Sequence, residues 1–213
     1  MRCEFLDEVP SSKAYSEGFG REAGAVVELV NEGLLYWEQG RGTFVAGKKV
    51  QQQAERLRSF TENMRERGME VSSTVLGVEV GSAGPVVARM LRADSGEKIV
   101  RVRRVRSADG ETMALETSHL LHDVAAVVLD SDLSTRSLYD ELRRKAGLRI
   151  SRAEQSYEAT LINAAESEHL RVPVGSAVLL IERVTFDADD GPFEYVKSTY
   201  RGDRYRVTTS LHY

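Results

Sequence analysis

The chain has 213 residues, 41% apolar and 29% charged, with a net charge of −4 and one cysteine; this is enough to bury a core in one large domain or in a small domain joined to a larger one. The lone Cys3 excludes an internal disulfide and fits a reducing cytoplasm. No apolar run nears the ~18 residues of a membrane span, no secretory pattern opens the chain, and the acidity argues against a surface that grips nucleic acid everywhere.

Residues 9–20 enter at Pro10 and Ser11 and exit at Gly20, which predicts a short helix. Val26, Leu29, Val30 and Leu34 then recur at helical spacing, with Gly33 closing a second helix. From Leu34 to Val45 an apolar strand, a glycine-bracketed tip around Arg41 and a second strand follow. Two short helices and such a hairpin predict a winged helix-turn-helix over residues 1–46. Local charge opposes this, because residues 1–50 hold six Lys or Arg against eight acids, whereas a DNA-binding head is usually positive. On these grounds Arg41 is equally a solvated turn cation.

Val50, Ala54, Leu57, Phe60 and Met64 fall on one side of a predicted helix over 50–67, with Glu55, Arg56, Arg58, Glu62 and Arg65 on the other and Gly68 as its cap. A strand is predicted over 71–81 and a short helix over 85–91. Residues 98–107 and 111–120 flank Ala108-Asp109-Gly110, a strong hairpin signal. Arg104 and Arg106 share one face of that hairpin and Arg101 and Arg103 the other. Spacing alone is satisfied by a cationic hairpin in water.

Thr135–Leu142 begins a helix ending at Gly147. Its N-terminus offers unpaired N–H groups to an anion, and Ser137 there is equally well read as a cap. A strand over 152–161 precedes a capping-box-like helix start at Asn163–Glu166 that stops before Pro173. In the next strand Leu179, Ile181, Arg183 and Thr185 alternate with Leu180, Glu182, Val184 and Phe186, which predicts one drier face. After the turn at Asp189–Pro192, the closing strand runs from Glu194 to Arg206. Glu194 and Tyr200 point the same way along it. A packed hairpin needs neither group there, since a buried carboxylate is costly without partners, so this face is either in water or built for a polar task.

E-Y-x-x-S-x-Y-R-G-D-R-Y-R, Glu194 to Arg206, resembles the closing strand of the UTRA effector-binding domain in the HutC-type branch of GntR transcriptional regulators. E-G-L-L-Y-x-x-x-G-R-G-T-F-V, Glu32 to Val45, resembles the third-helix exit and wing of the same regulators. The resemblance implies an α+β fold: a winged helix-turn-helix remnant over 1–46 and a chorismate-lyase-like (UTRA) domain over 50–213, with an antiparallel sheet and flanking helices. It implies that Arg41, Gly42 and Thr43 of the wing reach DNA. It further implies that Arg104 and Arg106 bind the phosphate or carboxylate of a small effector, as forked, permanently charged guanidiniums do well. Glu116 in A-L-E-T-S-H-L would pair with an arginine or take a ligand hydroxyl. Ser137 and Tyr139 in S-L-Y, with Glu194, Tyr200 and Ser73, would complete the site.

The implied function is a cytoplasmic, ligand-responsive transcriptional regulator, a repressor by expectation. It would be a homodimer through its effector domain, bind a DNA operator, sense a small anion such as a sugar phosphate or amino-sugar phosphate, and need no cofactor or metal. The sequence departs from the family in its head. Only eight residues precede Val9, where the family has a full helix. The family's S-R-x-T-V-R has no counterpart between Gly20 and Glu32, where Arg21, Glu22, Ala23 and Gly24 stand. Gly24 weakens a helix and Glu22 repels phosphate. A stand-alone metabolite-binding protein that has lost DNA binding is therefore the alternative. An enzyme on the chorismate-lyase-like fold is a third reading by fold analogy, against which stands the lack of any metal cluster, nucleophile elbow or phosphate loop in the sequence.

Overall fold

The computed structural model describes residues 22–31, 34–38, 42–45, 49–53 and 56–212. By its internal contacts the chain divides into two units, Met1–Val50 and Gln51–Tyr213.

In the first unit, α1 (Glu22–Asn31) is followed by β1 (Leu35–Glu38) and β2 (Gly42–Val45). The two strands pair antiparallel, Leu35 opposite Val45 and Glu38 opposite Gly42. The Leu34 N–H donates to the Leu29 carbonyl at 2.8 Å, linking helix to hairpin. Gly42 is exposed, and Thr43 beside it is half-buried. The helix predicted over 9–20, the closing Gly33 and the wing cation Arg41 lie outside the described residues.

The second unit corrects one expectation at its start. Residues 50–67 do not form one helix: β3 (Val50–Gln53) is a strand, and α2 is confined to Phe60–Arg65. The reason is local. Ser59 accepts from the Glu62 N–H at 3.2 Å while the Glu62 carboxylate accepts from the Ser59 N–H at 2.7 Å, a capping box that fixes the first turn at Phe60. The helical spacing of Phe60 and Met64 is real, since both are buried, but Val50 belongs to the preceding strand.

Next come β4 (Val71–Ser82), α3 (Pro85–Leu91), β5 (Lys98–Ala108) and β6 (Glu111–Leu121). The β5–β6 link is two residues, Asp109 and Gly110, with φ of 50° and 78°. Such a turn demands left-handed backbone at both central positions, and Asp-Gly supplies it. α4 (His122–Ala125) and a single 3₁₀ turn lead to α5 (Leu138–Ala146), followed by β7 (Ile150–Leu161), α6 (Ala164–Leu170), β8 (Ala177–Asp187), β9 (Pro192–Arg201) and β10 (Tyr205–Thr208). Six strands form one sheet in the order β4-β5-β6-β9-β8-β7, every neighbour antiparallel.

Two further expectations change. The closing strand stops at Arg201, and after a turn β10 leaves the large sheet to pair with β3. Gly202 permits the turn: its N–H donates to the Ala177 carbonyl at 3.2 Å, and a Cβ there would sit 2.7 Å from that same oxygen. Nor does β8 have a dry face and a wet one. Ile181 and Thr185 are buried on one side, and Val178, Val184 and Phe186 on the other, because an interior strand of this sheet is covered on both faces.

On one face Val100, Val102, Leu120 and Phe193 pack against Leu138, Tyr139 and Leu142 of α5. α3 covers part of the opposite face through Leu91 against Ile99, Val184 and Tyr195, and α6 places Leu170 on Val105, Leu115 and Val178. Each fully buried Leu or Phe contributes about 1.5–3 kcal/mol to this core. Along the α5 face, the apolar Val100 and Val102 of β5 give way two residues later to Arg104 and Arg106. The sheet that packs the helix therefore also starts the site.

Candidate ligand site

Four adjacent strands bring a lattice of polar side chains to this face. In register, Arg104 of β5 lies opposite Glu116 of β6, Glu116 opposite Ser198 of β9, and Ser198 opposite Ile181 of β8. One rung along, Ser118, Val196 and Arg183 align, and next to them Leu120, Glu194 and Thr185. Side chains on a strand alternate faces, so residues two apart in sequence become a patch of neighbours in space.

Arg104 and Arg106 are 2% and 3% exposed, too little for solvent to hydrate them. Both donate to the same oxygen of Glu116, Arg104 through Nη2 and Arg106 through Nη1, the latter at 3.2 Å. Burial alone would raise the Glu116 pKa. The two guanidiniums outweigh it and hold the carboxyl at about 2. Burial and the neighbouring Arg104 charge lower Arg106 to about 10, so it stays a cation at neutral pH. Two cations thus share one carboxylate, and Arg104 Nε, Arg104 Nη1 and Arg106 Nε are buried without a hydrogen-bond acceptor among the described residues. Unsatisfied buried guanidinium N–H groups are costly, and an anion in front of them removes that cost. Arg101 and Arg103, on the other face, are exposed, and Arg101 pairs with Glu79 at 2.6 Å.

A second polar group adjoins the first. The Tyr139 hydroxyl donates to Glu194 Oε2 at 2.6 Å and lies 2.9 Å from Thr185 Oγ1, which itself donates to Glu194 at 3.2 Å. Burial raises the Glu194 pKa, and the Tyr139 hydrogen bond only partly offsets it. Burial also pushes the Tyr139 phenol well above its ordinary range, with the Glu194 charge adding to the effect. Tyr139 reaches this position because Ser137 caps α5: its hydroxyl accepts from the Asp140 N–H at 3.3 Å, which sets the first turn directly over the sheet.

These groups line a hollow together with Ser59, Phe60 and Thr61 from the start of α2. Arg106 donates to the Thr61 hydroxyl at 2.8 Å and lies 4.6 Å over the Phe60 ring, a cation–π contact. Of the residues picked out in the sequence, Arg104, Arg106, Glu116, Ser137, Tyr139 and Glu194 all stand on this wall. Tyr200 lines a second hollow that shares Phe60, Glu116, Arg183 and Val196 with the first, and its phenol, buried and near the Glu116 charge, is pushed up to about 12. The two hollows hold about 320 and 350 Å³ of space between atoms, counting the part open to solvent. Ser73 is apart from them. It lies on β4 opposite Arg106, its N–H donates to the Ser134 carbonyl at 2.9 Å, and it lines neither hollow.

Sequence reasoning passed over Arg183, which lines both hollows. Its Nε donates to Gln155 Oε1 at 2.5 Å, the residue opposite it on β7, and its Nη1 donates to the Arg58 carbonyl at 3.1 Å. The usable signal was an arginine, next to Glu182, in a strand made mostly of apolar and β-branched residues. Among the described residues no group of three or more His, Cys, Asp or Glu is arranged to hold a metal ion, and no helix is long and apolar enough to cross a membrane.

The family model for the UTRA domain matches residues 66–206. The HTH-type transcriptional repressor NagR of Bacillus subtilis is 38% identical over 209 residues, covering 96% of this chain and 84% of NagR. The HTH-type transcriptional repressor PhnF of Mycolicibacterium smegmatis is 29% identical over 210 residues, with 97% and 85% covered. The crystal structure of PhnF from Mycobacterium smegmatis superposes with a TM-score of 0.73 at 29% identity, over 89% of this chain and 83% of that one.

Proposed function

Since the chain belongs to the UTRA-domain transcriptional regulators of the GntR family, we propose that it is a HutC-type repressor whose second unit senses a small anionic metabolite, a sugar phosphate or amino-sugar phosphate. Its relatives are regulators, and regulation rather than catalysis is its role. In this reading residues 1–46 are a winged helix-turn-helix head that meets an operator through Arg41, Gly42 and Thr43. Residues 50–213 are the effector domain, through which two copies pair, and the protein works in the cytoplasm.

One observation carries the ligand assignment: three buried guanidinium nitrogens without acceptors among the described residues, in a hollow roofed by a capped helix start. Arg104, Arg106 and Ser137 take the anionic group, and a phosphate monoester, with about −1.5 to −2 charge at neutral pH, matches a pair of forks. Glu116, Glu194, Tyr139 and Tyr200 take ring hydroxyls or an amide. A ligand favouring one arrangement of the effector domains shifts the DNA-binding equilibrium by no more than its differential affinity for the two arrangements.

The acidic head and the missing S-R-x-T-V-R favour the second reading, a metabolite-binding protein without an operator. A mobility-shift titration on DNA upstream of the protein's own gene separates the two. A complex at low salt that sugar phosphates dissociate supports the repressor, and no complex at low salt leaves only the metabolite-binding role.

A further inference from the structure

The six-stranded sheet has two edges, β4 and β7, and their side chains differ. β7 carries Arg152, Glu154 and Glu158, and charged side chains on an edge strand guard it against pairing. β4 holds one charged residue in twelve, Glu79, and the neighbouring Arg101 neutralises it through Nε and Nη2 at 3.0 and 2.6 Å. The first half of this edge is closed, because the Ser73 N–H donates to the Ser134 carbonyl at 2.9 Å and a bulge follows between Val75 and Gly77. From Gly77 to Ser82 the register with β5 is unbroken, and among the described residues no backbone hydrogen bond reaches these positions from the outer side. Val80, opposite Val100 and on the face that packs α5, is 48% exposed. Gly81 adds an independent observation. Its backbone is not left-handed, and a Cβ built on it would meet nothing within 4 Å. No described neighbour requires a glycine there, although glycine weakens a strand interior. Such a glycine marks a place where another backbone comes close.

We propose that residues 78–82 of β4 pair antiparallel with the same residues of a second copy, about a two-fold axis at Val80. The proposal rests on the reading that two copies pair through the effector domain, and it names the strand. Directly opposed residues of an antiparallel pair lie on one face. An axis at Val80 therefore sets Val80 against its own copy, Val78 against Ser82 and Glu79 against Gly81. The two exposed valines cover each other, and Glu79, held by Arg101, faces the residue without a side chain. Other axes fit less well. One at Glu79 opposes two carboxylates, and one at Val78 runs into the bulge. One at Gly81 leaves only three residues to pair, since the Ala83 N–H and carbonyl are already bonded to Glu97 and Gly96.

The test is sedimentation equilibrium of the full chain, which gives the dimer dissociation constant of the wild type, Gly81→Val and Val80→Lys. Valine at 81 has room within one copy and favours a strand. It is nonetheless expected to raise the dissociation constant about tenfold or more, as is Val80→Lys, which opposes two cations. In a Cys3→Ser background, Val80→Cys is expected to form an intermolecular disulfide on mild oxidation, because opposed Cα atoms of an antiparallel pair stand roughly 4.5–5.5 Å apart. Ser82→Cys, about 13 Å from its copy along the strand, is expected to stay reduced. A dissociation constant unchanged in both Gly81→Val and Val80→Lys, or crosslinking of Ser156→Cys on β7 in place of Val80→Cys, overturns the strand assignment. A wild type that sediments as a monomer at every concentration is a different result, and overturns the reading that two copies pair at all.

Discussion

Replacing Glu116 with glutamine removes the one charge that Arg104 and Arg106 share while keeping the side chain's shape. Holding the carboxyl at about 2 instead of the ordinary 4.5, at about 1.4 kcal/mol per pH unit, corresponds to roughly 3 kcal/mol of folded-state stabilisation. That agrees with the ~3–5 kcal/mol lost when one partner of a buried ion pair is removed. For a chain of this size it lowers the melting temperature by roughly 6–12 °C. The sign follows from the depressed pKa: the stabilisation is complete above pH 4.5 and fades as pH falls toward 2. Urea unfolding of wild type and Glu116→Gln across this range, followed by far-UV circular dichroism, measures the gap directly. Fluorescence of the single tryptophan, Trp37, is unsuitable because that residue lies in the first unit. A gap below about 1 kcal/mol at neutral pH, or one that does not close on acidification, refutes the reasoning, since it would mean the pair is hydrated and worth little.

Glu194 behaves in the opposite sense. Burial raises its pKa, so Glu194→Gln matches the wild type in acid and gains on it as pH rises through the raised value, which a pH series of melting temperatures records. Gly202→Ala forces a Cβ to 2.7 Å from the Ala177 carbonyl and is expected to cost about 1–3 kcal/mol in denaturant unfolding; a neutral result means the turn can shift. Ser59→Ala removes half of the α2 capping box and is expected to cost about 1 kcal/mol. Hydrogen exchange at residues 60–65 should rise in that variant more than exchange in β5 and β6.

Strand alternation puts Arg104 with Arg106 and Glu194 with Tyr200 on common faces, but spacing alone fits a solvated face equally well; it is the family resemblance, through the R-x-R, S-L-Y and closing-strand motifs, that points these residues at a ligand. Arg183 stands out as an arginine in a largely apolar strand, but that signal does not say which neighbours it meets. Its role depends on register with Gln155 and Val196 on other strands, and register is a long-range property. The apolar spacing over 50–67 suggests one long helix, whereas S-F-T-E at Ser59–Glu62 is a capping box that starts the helix only at Phe60. Ser73 rests on a positional match alone, with no motif around it, and on β4 it lies opposite Arg106 and lines neither hollow.

Arg106 grips two sides of one chamber. With one nitrogen it holds the floor at Glu116, with another the ceiling at Thr61, and its flat face lies against Phe60. A guest anion can meet this guanidinium at its unpartnered Nε without loosening either holder, so the group that receives the guest is already locked in place from two sides before the guest arrives.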